Sequence, residues 1–452
     1  MSDAAFRDAP LPDQPAPSDE RPSTATQPPT AWVASRLAAS RPAAVVYVAS
    51  SERRADEIGR ALRRFEPGAE VLVLPPWDCL PYDRASPSRD VMGRRLAVLR
   101  RLAAPTDKQR FLIAPVEALM LRTPPIEIIR EARFQIRVGD PLDLEALEAF
   151  AESTGYIRDD RVDEPGEIAV QGEVIDIFPA AEPRPHRLTI TDHVVDAIRP
   201  FDPLTQRSLG DVGDLCLGPA SEVILSSGDE RPLGLEHRAA NVYERLDTVL
   251  DLIVGATVAQ DPKAPARAAS FETQVRDAHA VRMQYPEGER PSAPEALYLT
   301  ASQLQARLAD HPEMPLTGLG VEAAPNFALS RNAARDLADF VRAQLDADRR
   351  VVVTGLAHET RALARRLRRS LEQELVAADS LASVLDGAPG ELYLGEFDLE
   401  RGFVDPENRL AMIAATDVFG GRVAAGSKAQ PAHLLTEPEL RVGDVVIHED
   451  RK

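Results

Sequence analysis

The sequence predicts a multidomain α/β protein: a parallel-sheet unit interrupted by an α+β insert, followed by a second, smaller α/β unit. Apolar strands and amphipathic helices alternate over 31–130 and again over 331–425, the signature of parallel strands joined by helical crossovers. Near Phe134 the pattern changes to short strands and tight turns. The chain has 452 residues and is 44% hydrophobic, enough for about two to four cores.

In order along the chain, 1–30 is rich in Pro, Ser and acid and buries too little to repay ordering, so it reads as a disordered tail. "AWVASRLAAS" is a short helix, "AAVVYVAS" a strand and "SERRADEIGRALRRF" an amphipathic helix. "AEVLVL" (69–74) is a buried strand and "VMGRRLAVLRRLA" (91–103) a helix. Between them "LPPWDCLPYDRASPSRD" (74–90) is too rich in proline to be helical. It is an ordered crossing loop at a strand end, where α/β proteins bind ligands. The strand "RFLIAPVEAL" follows.

The insert, 131–225, opens with "FQIRVGDPLDLEALEAFAESTGY" as strand, turn and helix. "GEIAVQGEVIDIFP" and "HRLTITDHVVDAIRPFD" are β-rich, with Asp192-His193 as a hairpin corner. Residues 226–320 return to helices and scattered strands, and 321–330 reads as a linker. The second unit, 331–425, is followed by a linker at 426–440 and by "LRVGDVVIHEDRK" (440–452), an opening strand.

A net charge of −19 repels a phosphate backbone, so DNA binding by this chain is expected to be weak outside local basic patches. Cys79 and Cys216 stand far apart, which fits a reducing compartment and provides no metal ligand set. No run approaches a membrane span and no secretion signal opens the chain, so the expected location is cytoplasmic. Nucleotide hydrolysis needs a glycine-rich loop ending in Gly-Lys-Ser/Thr. The nearest string, "GRVAAGSK" (421–428), reverses that ending to Ser427-Lys428 and precedes coil. Asp56-Glu57 sits inside a polar helix and Asp163-Glu164 precedes Pro165, so neither reads as a magnesium-binding pair. The eight histidines lack metal spacing; His358 reads as a helix N-terminal residue and His448 lies on the last strand. No catalytic motif is visible.

Strand alternation in "HRLTIT" puts Leu188 and Ile190 on one face and Arg187, Thr189 and Thr191 on the other. The first face packs on a core. The second is a solvated face or a docking surface.

The runs "LPPWDCLPYDRASPSRDVMGRRLAVLRRL", "FLIAPVEALMLRTPP", "GEIAVQGEVIDIFP" and "IRPFDPLTQRSL", continued by "RGFVDPENRLAMIAATDVFGGR" and "LRVGDVVIHED", resemble the bacterial transcription-repair coupling factor (Mfd) family in order and spacing. The resemblance runs from about residue 31 to 452. It implies a degenerate helicase-like (RecA-like) parallel-sheet domain that has lost its nucleotide loop, split by a UvrB-type insert that binds UvrA. It implies that 441–452 begins the domain that contacts RNA polymerase, so that partner requires the chain to continue past Lys452. It also implies no cofactor in this chain, ATP and magnesium belonging to the motor of the full-length family. The family pattern has arginine where Gln171 precedes Gly172, a second arginine matched by Arg187, and an aromatic where Thr191 stands. A UvrA-type surface of Arg187, Gln171 and Thr191 is therefore expected to be weakened, as in a diverged paralogue.

The resulting reading is the N-terminal, non-catalytic interaction and autoinhibitory region of a transcription-repair coupling factor. Two others stand beside it: a stand-alone adaptor in transcription regulation, and a helicase-fold nucleotidase with a non-standard phosphate site. An open frame continuing past Lys452 into a Gly-x-Gly-Lys-Thr loop separates the first from the second. Nucleotide binding singles out the third.

Overall fold

The computed structural model describes residues 27–226, 228–285, 290–316, 320–371 and 373–420. Its first sheet is parallel throughout, in the spatial order Thr257–Gln260, Ala44–Ala49, Arg110–Pro115, Glu70–Val73. β-Branched runs such as Val45-Val46 form these strands, and helical crossovers cover both faces, so the strands are apolar on both sides. Helix Glu52–Phe65 starts at Ser51, whose side chain accepts the Arg54 amide hydrogen bond. It buries Ile58, Leu62 and Phe65, one stripe at helical spacing. Helix Arg89–Ala103 starts in the same way at Ser88. Thr257–Gln260, far along the chain, closes the sheet after the insert.

The insert begins with Phe134–Arg137, paired antiparallel with Asp214–Leu217. Between these lie helix Leu144–Ser153 and a five-stranded sheet ordered Ile157–Arg158, Glu167–Gln171, Val174–Ile177, His186–Thr191, Val194–Pro200. The last four strands are antiparallel neighbours. Leu147 and Ala151 of the helix pack on Ile168, Ile175, Ile177, Leu188 and Ile198 of the sheet. Asp192 and His193 have φ of 50° and 65°, the two positive angles of a type I′ hairpin. Gly172, φ 63°, turns the hairpin between Gln171 and Val174.

The second unit is a six-stranded mixed sheet. Leu375–Ala378, Leu392–Gly395, Arg350–Thr354 and Leu410–Ala414 run parallel, and Phe403–Asp405 and Glu322–Ala323 complete one edge antiparallel. The sequence reads 321–330 as a linker. Here Glu322–Ala323 pair with Phe403–Val404 and Phe327 is buried, because a free strand edge and an apolar slot were both available to this segment.

The two α/β units meet in one apolar core. Trp32, Val45, Tyr47, Phe111 and Ile113 from the first side cluster with Val352, Tyr393, Phe403 and Met412 from the second. Phe65 and Phe397 stack edge to face with centroids 5.3 Å apart. Helix Thr30–Ala38 lies in this seam, buried nearly all round, and Trp32 Nε1 donates to Asp405 Oδ2 at 2.8 Å. The tail reading of 1–30 thus gives way at its last residues: Gln27 and Pro28 are hydrogen-bonded and Thr30 begins the helix. Residues 1–26, the 426–440 linker, Ser427-Lys428, His448 and the strand at 441–452 lie outside the described residues. Among the described residues no helix is long and apolar enough to cross a membrane.

Candidate functional site

The carboxyl end of a parallel sheet is where α/β folds place ligands. In this chain that end is filled. Strand Ala44–Ala49 passes through only Ser50 and Ser51 before the helix begins at Glu52, leaving no loop length to cradle a phosphate. Asp261, 0% exposed, follows the adjacent strand and forms an ion pair with Arg54, 8% exposed. Tyr47 donates its hydroxyl to Asp261 Oδ2 at 3.0 Å and accepts from Arg54 Nε at 3.0 Å. Gln27 Nε2 donates to Asp261 Oδ2 and to Ser50 Oγ, and Arg54 Nη2 to the Pro28 carbonyl. Burial, opposed by the Arg54 charge and reinforced by that of Asp261, pushes the Tyr47 hydroxyl far above its ordinary value. This network lies at the carboxyl end of the strands, the side of a parallel sheet where α/β folds commonly place ligands.

The proline-rich loop at the next strand end is also packed shut. Arg95, 0% exposed, donates from Nε to Glu222 Oε1 at 2.6 Å and from Nη1 to the Pro75 carbonyl at 2.8 Å. Trp77 Nε1 reaches the same carboxylate oxygen at 2.8 Å. Tyr82 is buried at φ 58°, within an aromatic cluster with His237, His279 and Tyr298. Cys79 Sγ lies 3.8 Å from His237 Nε2, a pairing that the sequence, with these residues in separate segments, does not reveal. Burial holds the Cys79 thiol well above its usual range and His237 below its own. Both are therefore neutral near pH 7, and a neutral thiol is a poor nucleophile. Among the described residues no cluster of three His, Cys, Asp or Glu side chains is arranged to hold a metal ion.

The sequence-predicted residues of the insert stand on a different kind of surface. Gln171 is opposite Val174, which is opposite Thr189; Arg187 and Thr191 flank Thr189 on the same face. All three predicted residues therefore share the sheet face turned away from Leu188 and Ile198. Gln171 and Thr191 are exposed. Gln171 Nε2 donates to the Asp160 carbonyl at 2.7 Å, and Thr191 Oγ1 donates to Asp196.

Arg187 is not the free charged anchor that alternation alone implies. Its side chain is 31% exposed, and Nε and Nη2 each donate to Asp176 at 2.7 Å. Nη2 also reaches Gln206 Oε1 at 3.0 Å, and the guanidinium sits 4.7 Å from the Phe201 ring centroid. Donation to Asp176 raises the pKa of the guanidinium. The cause is register: Asp176 lies directly across from Arg187 on the neighbouring strand, and cross-strand partners are not legible from one strand's period.

Residues 134–223 match the family model described as the UvrB interaction domain. The chain is 27% identical over 427 residues to the transcription-repair-coupling factor of Escherichia coli K12, an alignment covering 84% of this chain and 36% of that protein. Against the transcription-repair-coupling factor of Mycobacterium tuberculosis CDC 1551 it is 26% identical over 486 residues, covering 92% of this chain and 39% of the relative. That of Haemophilus influenzae matches at 33% over 177 residues, 39% of this chain and 15% of the relative. The chain thus spans well under half the length of these curated relatives.

Proposed function

We propose that this chain, a transcription-repair coupling factor region of the N-terminal kind built around a UvrB interaction domain, is a non-catalytic docking module in transcription-coupled repair. Its first α/β unit is read as a helicase-like domain whose nucleotide site has decayed. The observation that carries the non-catalytic reading is the buried Arg54–Asp261–Tyr47 network at the sheet's carboxyl end. The docking reading rests on the insert, whose paired strands Phe134–Arg137 and Asp214–Leu217 bracket most of the matched 134–223 segment. Its sheet turns one face to the core; the other is covered around Ala169, which packs with buried Val162 and Phe178, and is exposed at Gln171 and Thr191.

On this reading the partner is a UvrA-type protein, met by the face carrying Gln171, Thr191 and Arg187. Asp176 already fills the arginine fork, so a partner carboxylate gains less than from an unpaired arginine. Affinity is expected to be low. ATP and magnesium chemistry belongs to a motor elsewhere in such proteins, and this region takes no cofactor. An autoinhibitory role follows if the same face docks against the rest of a full-length protein.

Two measurements test the reading. Calorimetry with ATP and magnesium is expected to give no binding, and micromolar affinity would remove the decayed-site argument. Interferometry against the same organism's UvrA is expected to show weak binding that Gln171→Arg with Thr191→Phe strengthens about tenfold or more, as anchors of about 1.4 kcal/mol or above would. Tight wild-type binding, insensitive to all three positions, would place the docking surface elsewhere.

A further inference from the structure

Helix Ala357–Ser370 carries Arg361, Arg365, Arg368 and Arg369, all exposed. At 3.6 residues per turn these four fall within an arc of about 100° and span roughly 12 Å along the axis. Thr360, Leu363, Ala364 and Leu367 form the buried side of the same helix, which fixes the arginine arc toward solvent. Half-buried Arg366 borders it.

The arc is unusual for this chain. The net charge is −19, and arginines elsewhere are widely neutralised by neighbours, as in Arg53–Glu57, Arg94–Asp90, Arg245–Glu127 and Arg307–Asp251. Among the described residues none of the four meets a carboxylate; Arg361 Nε donates only to the Ala357 carbonyl of its own helix, at 2.8 Å. The neighbouring helix brings Arg342 to the same end, where Nη2 donates to the Ser370 carbonyl at 3.3 Å and Nη1 meets Asp339 at 2.9 Å. Cations in a last turn complement the helix dipole. That accounts for Arg368 and Arg369 but not for Arg361 and Arg365, which lie further up the helix.

Like charges at i, i+4 destabilise a helix by a few tenths of a kcal/mol, so the stripe is maintained against a local cost. Its chemistry points to a polyanion. Protein interfaces deplete charge at their centres and concentrate apolar and aromatic anchors there, and this arc has none: the exposed Leu356 at the helix start lies on another side. Forked donors in a row suit phosphate oxygens. The one aromatic ring on the arc is the exposed imidazole of His358, one turn before Arg361; with no Phe, Tyr or Trp beside the arginines, the face lacks the stacking platform of a single-strand binder.

We propose that this helix face is a contact surface for the phosphate backbone of duplex DNA, independent of sequence. It is a local patch on an acidic protein, so affinity at physiological salt falls in the ordinary non-specific range of about 10⁻⁴–10⁻⁶ M.

The test is fluorescence anisotropy of the 452-residue chain with a mixed-sequence duplex at 50 and 200 mM salt. Four phosphate contacts predict about a hundredfold loss of affinity between those salts, and one remaining contact only about three- to fourfold. The stripe variant is Arg365→Gln, Arg368→Gln and Arg369→Gln, which keeps helix propensity. The charge-matched control is Arg41→Gln, Arg130→Gln and Arg133→Gln, three exposed arginines elsewhere. The expected result is a flattened salt slope and weaker binding at 50 mM for the stripe variant alone, with both variants melting like wild type. Equal loss in the control would assign the effect to net charge and overturn the proposal, as would unchanged binding by the stripe variant. Binding to poly-glutamate with none to duplex would overturn it in favour of an acidic protein partner.

Discussion

The carboxyl end of the first parallel sheet and the outer face of the insert sheet each assemble polar side chains around an arginine, with opposite consequences. Arg54 is sealed under Gln27 and Pro28, its charge met by a fully buried Asp261. Arg187 lies at the surface, its fork filled by Asp176 and its plane laid on Phe201. Water is excluded from the first network, so its members hold the fold and are unavailable to a ligand. The second remains partly solvated, where a partner can exchange contacts without breaking the core. On the proposed reading, recognition falls to the insert and the outer helix faces, and the sheet's carboxyl end serves the fold.

The sharpest way to break that contrast is Asp261→Ala. It strands the Arg54 guanidinium in the interior, and a buried charge left without its partner costs about 3–5 kcal/mol. Urea unfolding should show a large drop in midpoint, still without ATP binding by calorimetry. Normal stability with newly acquired ATP affinity would mean that the network is a removable plug.

A smaller effect is expected from Trp32→Phe. The six-membered ring is kept, the pyrrole part of a 1% exposed indole is lost, and Asp405, 2% exposed, loses the indole donor while keeping both donors from Asn408. The cost should be about 1–2 kcal/mol. Because the two α/β units share one core, fluorescence and far-UV circular dichroism should lose signal at the same urea concentration. Two separate transitions would show that the seam does not couple them.

At the insert, Arg187→Ala should cost about 1 kcal/mol or less, since the ion pair with Asp176 is partly solvated and screened. A loss near that of Asp261→Ala would erase the distinction between the two arginines.

The smallest effect concerns pH. Burial holds His186 and His237 below their ordinary 6.5 in the fold. The unfolded chain then binds protons more readily than the native one, so stability present above about pH 6.5 is lost as pH falls through the depressed folded values. The melting temperature should decline from pH 7.5 to 5.5, and His237→Gln should reduce that decline. An unchanged slope in the variant would remove His237 from the account.

Short-range pattern was sufficient for much of this molecule. Alternation placed Leu188 inward and Arg187 outward, the Asp192-His193 pair marked a hairpin, and the absence of a Gly-Lys-Ser/Thr loop was plain because such a loop is contiguous. Each depends on residues a few positions apart, whose geometry the local backbone sets. Tertiary structure alone decided the rest. It drew Gln27, Tyr47, Arg54 and Asp261 into one network, set Cys79 beside His237, and pinned Arg187 to Asp176 through strand register. It also ordered 321–330 along a sheet edge and seated helix Thr30–Ala38 between two sheets. Those outcomes depend on which distant segments share a core and on what each then leaves uncovered, and no local period in a sequence encodes that.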